Sequence, residues 1–133
     1  MIEVGAMHTQ TWIVKPSHLA SAFGSGLVDV LATPVLVGFC EECSRQIVDP
    51  TLPDGQRTVG TSVSVEHLAP TPEGWRVTVT AKLVQVDGRR LAFEFEVSDD
   101  VELVARGTHS RFVVDDARFA ASLASKRTRL RPA

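Results

Sequence analysis

Residues 33–50 read Thr-Pro-Val-Leu-Val-Gly-Phe-Cys-Glu-Glu-Cys-Ser-Arg-Gln-Ile-Val-Asp-Pro, and how this stretch must be housed decides the fold. Thr33 suits a helix N-cap, and Pro34 suits the first helical position, where its missing N–H leaves nothing unpaired. Leu36, Phe39 with Cys40, Cys43 and Ile47 then recur at helical spacing as one apolar stripe. Val35 and Val37 widen the stripe, and Asp49-Pro50 ends the helix. A helix apolar on most sides in its first half has to be enclosed, which points to a sheet wrapped around it.

The flanking sequence supplies that sheet. Thr9 to Val14 reads as an opening strand. Thr58 to Leu68 alternates through Val59, Thr61, Val63 and Val65, and Trp75 to Val86 through Val77, Val79, Ala81 and Leu83. Asp87-Gly88 is a hairpin signal, with Leu91, Phe93, Phe95 and Val97 on the return strand. Ser98-Asp99-Asp100 turns into a last strand, Val101 to Val114, after which Asp115 caps a short helix carrying Phe119 and Leu123. Pro16 to Asp29, rich in Gly, Ser and small residues, reads as a loop or short mobile helix of the kind that forms a lid. The expectation is an α+β fold with one long helix across an antiparallel sheet, forming a single domain over residues 1–133 with a solvated basic tail from about 126.

Composition narrows the function classes. A chain of 133 residues with a formal net charge of −2 presents no global field for nucleic acid or an anionic membrane. The N-terminus lacks the basic-then-apolar pattern of a signal peptide, and the apolar run Gly26–Cys40 is broken by Asp29, Thr33 and Pro34. A soluble cytoplasmic protein is expected. Cys40 and Cys43 form a CxxC, but well inside the helix and without a second ligand pair, so buried core cysteines are expected rather than a redox or zinc site.

Several residues are candidates for chemistry. Glu41 lies on an apolar helix, where partial burial demands a partner; the alternative is that Glu41 and Glu42 simply face solvent. His67 stands at a strand end, placed either to reach a cleft and transfer protons or to bond locally. Composition does not rank it against His8, His18 and His109. Thr33 is a helix cap that also sets a hydroxyl beside free backbone N–H groups. Gly60, inside a strand, marks a bulge or the close approach of a ligand or another backbone. Arg111 either pairs locally or holds a phosphate or carboxylate.

Taken together, Ala32-Thr33-Pro34, the helix bearing Glu41, Val59-Gly60-Thr61, the run Val65 to Gly74 and Gly107-Thr108-His109-Ser110-Arg111 resemble the fluoroacetyl-CoA thioesterase family of hot-dog proteins. The likeness runs without gaps from about Leu31 to Phe119. It implies a homodimer with active sites along the dimer interface, and Thr33, Glu41 and His67 as catalytic residues. Gly60 and Arg111 match positions around the active site and the thioester. The implied substrate is an acyl-coenzyme A, cleaved to free acid and thiol, with no metal and no cofactor beyond the coenzyme A it carries. Where fluoroacetate-specific members carry bulky lid phenylalanines, this chain offers Gly24 and Leu27 with Phe23 nearby, which implies a broader or different acyl group. Two alternatives share the fold. One is a non-catalytic binder of acyl-CoA or another small ligand; the other is an acyl-CoA hydratase, disfavoured because no Asp and His stand close together on a helix-associated segment.

Overall fold

In the computed structural model, which describes residues 2–130, the apolar stretch forms a 16-residue helix, α2 (Thr33–Val48), preceded by a single short turn, α1 (Ala20–Phe23). Five antiparallel strands follow the order β1-β3-β4-β5-β2: β1 (Met7–Ile13), β2 (Gln56–His67), β3 (Arg76–Asp87), β4 (Arg90–Ser98) and β5 (Leu103–Asp115). Val77, Val79, Ala81 and Leu83 of β3, with Leu91, Phe93, Phe95 and Val97 of β4, are buried at alternate positions on the face that meets the helix. From α2, Leu36, Phe39, Cys40 and Cys43 pack with Val77, Val79, Ala81, Phe95 and Val97, Val48 packs with Leu83, Leu91 and Phe93, and Trp12 stacks on Phe39 with ring centroids 4.4 Å apart. Truncating a side chain as enclosed as Leu36 costs about 2–5 kcal/mol. This is the expected α+β, hot-dog arrangement of one long helix and its antiparallel sheet.

The β3–β4 hairpin turns where Asp87-Gly88 placed it, with Asp87 paired to Arg90 and Gly88 at φ 59°. Both cysteines are buried and free. Burial pushes the thiols up, Cys40 to about 12 and Cys43 to about 11, and Cys43 Sγ donates to the carbonyl of His8 at 3.3 Å. They are core residues.

Four expectations need correction. Ala32, not Thr33, occupies the N-cap of α2, with φ −70° and ψ 138°; Thr33 is already helical, and its hydroxyl is engaged outside the helix. Asp115 does sit at the cap position of α3 (Asp116–Thr128), yet its carboxylate makes no capping bond, because Gln56 (3.0 Å) and Arg89 (3.1 Å) take it instead. Residues 126–128 are exposed, as expected of the basic end, but form the last turn of α3, while residues 131–133 lie outside the described residues. Lastly, the simple alternation read into Thr58–Leu68 fails at its start. A register shift between Gly60 and Ser62 leaves Thr61 as an extra, exposed residue.

That shift matters for everything downstream. Opposite the inward-facing odd-numbered β5 positions, Ala105 to Val113, stand Thr58 and Gly60 before it, and Val63, Val65 and His67 after it. Side chains alternate with period two, so one inserted residue moves the inward set from even to odd numbers. Without the bulge, Gly60 and His67 would face opposite sides of the sheet.

Candidate active site

His67 ends β2, and its Nδ1 lies 2.8 Å from Thr33 Oγ1 at the start of α2. Its other nitrogen, Nε2, is buried without a hydrogen-bond partner among the described residues. Burial lowers the pKa of the ring, against a weaker opposing pull from the Ala69 backbone, so the neutral imidazole prevails near pH 7. If Nδ1–H donates to Thr33, the orphaned Nε2 carries a lone pair ready to accept a proton. A cleft of about 350 Å³ opens beside the pair, walled by Ala20, Gly26, Val28, Leu31, Leu68 and Pro70. The stretch read as a lid therefore does border this pair. Isolated bridges from Leu19 to Leu31 and from Val30 to Pro72 hold it there, while Leu27 projects 98% exposed.

Glu41 lies two helical turns farther along α2 and faces a different group of side chains. Its carboxylate sits over Gly60: a Cβ built on that glycine would meet Glu41 Oε2 at 2.8 Å and His109 Cε1 at 3.3 Å. Gly60 is thus both the edge of a bulge and a point of close approach, and what approaches is a carboxylate of the same chain. Arg111 Nη1 stands 3.9 Å from Glu41 Oε2, an ion pair beyond hydrogen-bonding range. The guanidinium is almost wholly buried. It donates from Nε to Thr58 Oγ1 at 2.7 Å, from Nη2 to the Thr58 carbonyl at 3.0 Å and from Nη1 to His109 Nε2 at 3.1 Å. Thr58 Oγ1 in turn donates to Asp49 at 2.5 Å. Arg111 is therefore turned inward among partners of its own chain, where it reaches Glu41 more readily than a ligand at the surface.

Sequence reasoning did not single out His109. It is 2% exposed, and its pKa is lowered chiefly by burial. One signal was available: Ala105, His109, Arg111 and Val113 are buried at odd-numbered positions of one strand, so a histidine two residues from an inward arginine shares its face.

The five expected site residues thus fall into two groups. Thr33 joins His67, and Glu41 joins Gly60 and Arg111. Eight residues of α-helix separate Thr33 from Glu41, about 12 Å along the axis. Among the described residues, no three His, Cys, Asp or Glu side chains gather as metal ligands, and no helix is long and apolar enough to cross a membrane.

Comparison with known proteins gives a consistent result. Residues 14–117 match the family model of the fluoroacetyl-CoA-specific thioesterase. The chain is 35% identical over 131 residues to the fluoroacetyl-CoA thioesterase of Streptantibioticus cattleyicolor, covering 94% of each protein. A solved structure of the fluoroacetyl-CoA thioesterase FlK superposes with a TM-score of 0.89 at 32% identity, over 95% of this chain and 98% of that one. A thioesterase superfamily member of Thermus thermophilus superposes with a TM-score of 0.90 at 26% identity, over 97% of this chain and 96% of the other.

Proposed function

Because the chain belongs to the fluoroacetyl-CoA-specific thioesterase family, we propose that it hydrolyses acyl-coenzyme A with Glu41 attacking, His67 managing the water and Thr33 orienting His67. Hydrolysis of an acyl-CoA thioester comes with family membership over nearly the whole chain. The assignment of roles rests on one observation. His67 is held at Nδ1 by Thr33 while its buried Nε2 is left unpartnered, the state a proton acceptor needs before water arrives.

In this reading Glu41, not hydrogen-bonded by Arg111, adds to the thioester carbonyl carbon. The C–S bond breaks, coenzyme A leaves as its thiolate, and the acyl group remains on Glu41 as a mixed anhydride. Water then adds to the acyl carbon and gives a proton to His67 Nε2. The free acid departs, Glu41 is restored, and the proton on His67 passes to solvent. No step so drawn calls for a metal or a cofactor; coenzyme A enters with the substrate.

The separation of the two groups supports a homodimer. One helix cannot bring Thr33 and Glu41 together, and β2 carries Gly60 and His67 about 23 Å apart. As an edge strand, β2 has one side free to pair. Antiparallel pairing with the same strand of a second copy runs His67 of one toward Gly60 and Glu41 of the other, in the self-complementary manner of a two-fold interface. The site is then composite. The apolar walls around His67 suit a hydrocarbon acyl group, and the two free thiols suit a reducing compartment, the cytoplasm.

Glu41→Gln and His67→Ala are each expected to lower kcat about 10²- to 10⁴-fold on the best substrate of a short, branched, aromatic and long acyl-CoA panel, with the fold retained. In His67→Ala the second step slows, so one equivalent of free coenzyme A per site appears as a burst, and an acyl mass adduct maps to Glu41. A burst-free time course without adduct assigns Glu41 to general-base work instead. Parent rates in both variants overturn the catalytic assignment.

A further inference from the structure

Beside Glu41 stands a buried histidine to which the reaction as drawn gives no part. His109 is pinned on both sides. Its Nδ1 lies 2.8 Å from the carbonyl of Ser62, the residue at the β2 register shift, and its Nε2 lies 3.1 Å from Arg111 Nη1. A carbonyl only accepts, so Nδ1 carries the proton and Nε2 offers a lone pair. The lone pair takes one of the two N–H bonds of Nη1, the same nitrogen that stands 3.9 Å from Glu41 Oε2. With Nε and Nη2 committed to Thr58, the guanidinium is tethered at three points, and Glu41 holds none of them.

Left to itself, Nη1 would prefer the carboxylate. Charge-assisted hydrogen bonds run about 2.7–2.9 Å and are roughly twice as strong as neutral ones. We infer that His109 is a positioning residue, which holds Arg111 away from direct hydrogen bonding with Glu41 so that the carboxylate stays oriented over Gly60 and free to react. The inference rests on the proposed attack by Glu41. A carboxylate bonded to guanidinium has to break that bond to reach a carbonyl carbon, a handicap of about 10- to 100-fold in rate.

His109 also stacks on Phe93 with ring centroids 6.0 Å apart, so His109→Phe keeps a ring in place and deletes both nitrogens. His109→Gln restores both interactions, since its amide N–H donates to Ser62 and its amide oxygen accepts from Arg111. Acyl-CoA turnover by both, with Glu41→Gln run alongside, tests the inference on the substrate the parent cleaves fastest. His109→Phe is expected to lose 10- to 100-fold in kcat with KM within about twofold, and His109→Gln to recover to within about fivefold of the parent. A merely structural role would lower the folded fraction and leave the kcat of the folded protein unchanged. Parent-like kcat in folded His109→Phe, or equal losses in Phe and Gln, overturns the inference. Where His109→Phe does not fold, His109→Leu replaces it; where neither folds, a loss above tenfold in folded His109→Gln is enough to overturn it. Parent rate in Glu41→Gln removes the attack by Glu41 itself, whereas an inactive Glu41→Gln with a parent-like His109→Phe removes only the role of His109.

Discussion

The surroundings of Glu41 and of His67 are built on opposite principles. Around Glu41 the buried polar atoms are paired: Arg111 to Thr58 and His109, His109 to Ser62, Thr58 to Asp49. Around His67 the bonding stops short, with one nitrogen held and one orphaned. Leaving a buried polar group unpaired costs about 1–3 kcal/mol, a cost that a satisfied network avoids. The contrast separates two tasks. A saturated cluster fixes where a carboxylate sits, whereas an unmet hydrogen bond has to wait where a reactant arrives. One bulged residue in β2 serves both, since it turns Gly60 and His67 to the same face.

Two glycines break the comparison most sharply. At Gly107 a Cβ would lie 2.0 Å from the backbone carbonyl of Ser64 and 2.7 Å from Phe95, so the strand pair itself must move. Gly107→Ala is expected to destabilise the fold by about 1–3 kcal/mol, read as a drop in Tm, because overpacking meets backbone. At Gly60 the closest atom is the far end of the flexible Glu41 side chain, which can swing away. Gly60→Ala is therefore expected to keep its Tm to within a few degrees and lose about 10²-fold in kcat, as a carboxylate displaced by roughly 1 Å does. A Gly60→Ala variant that kept its rate would show that the position of Glu41 over Gly60 is not the reactive one.

Acid titration sharpens the same contrast. Burial holds both His67 and His109 below the ordinary histidine value of 6.5, so the unfolded chain binds protons more readily than the folded one. Their share of stability is complete above pH 6.5 and is lost as pH falls through the lowered folded values. Tm is expected to fall on the order of a few degrees between pH 7 and pH 5, and His109→Gln to flatten the slope by removing one of the two contributions. An unchanged slope in His109→Gln would mean that the folded and unfolded chains bind the His109 proton equally well over that range.

Period and turn chemistry carried much of this fold in plain view. The apolar stripe from Leu36 to Ile47 announced the enclosed helix, and Asp87-Gly88 announced the hairpin. Gly60 was legible as an anomaly, because a glycine in a strand has to be explained. The bulge beside it was not placed, since Val59, Thr61, Val63 and Val65 form an unbroken alternation on paper. Only pairing with β5 shows that the first two belong to a different phase from the last two. His109 went unranked for a related reason: its importance lies in contacts with Ser62 and Arg111, and a list of histidines holds no such information. Resemblance supplied the grouping of Thr33, Glu41 and His67, and the fold of one chain divides that trio into a pair and a separate acid.

Thr33 offers the smallest effect and the finest discrimination. As an N-cap, its replacement by alanine would cost about 1 kcal/mol of stability through an unsatisfied N–H at the helix end. The cap position belongs to Ala32, however, and Oγ1 of Thr33 is directed at His67 Nδ1. Thr33→Ala is therefore expected to leave Tm nearly unchanged while lowering kcat by about tenfold, the order of effect of one orienting hydrogen bond. Thr33→Ser keeps the hydroxyl and is expected to stay near the parent rate. The two readouts move independently, so calorimetry and kinetics on the same protein decide the matter. A Tm loss matching that of a missing cap, with unaltered kcat, would return Thr33 to the helix and leave His67 to find its orientation elsewhere.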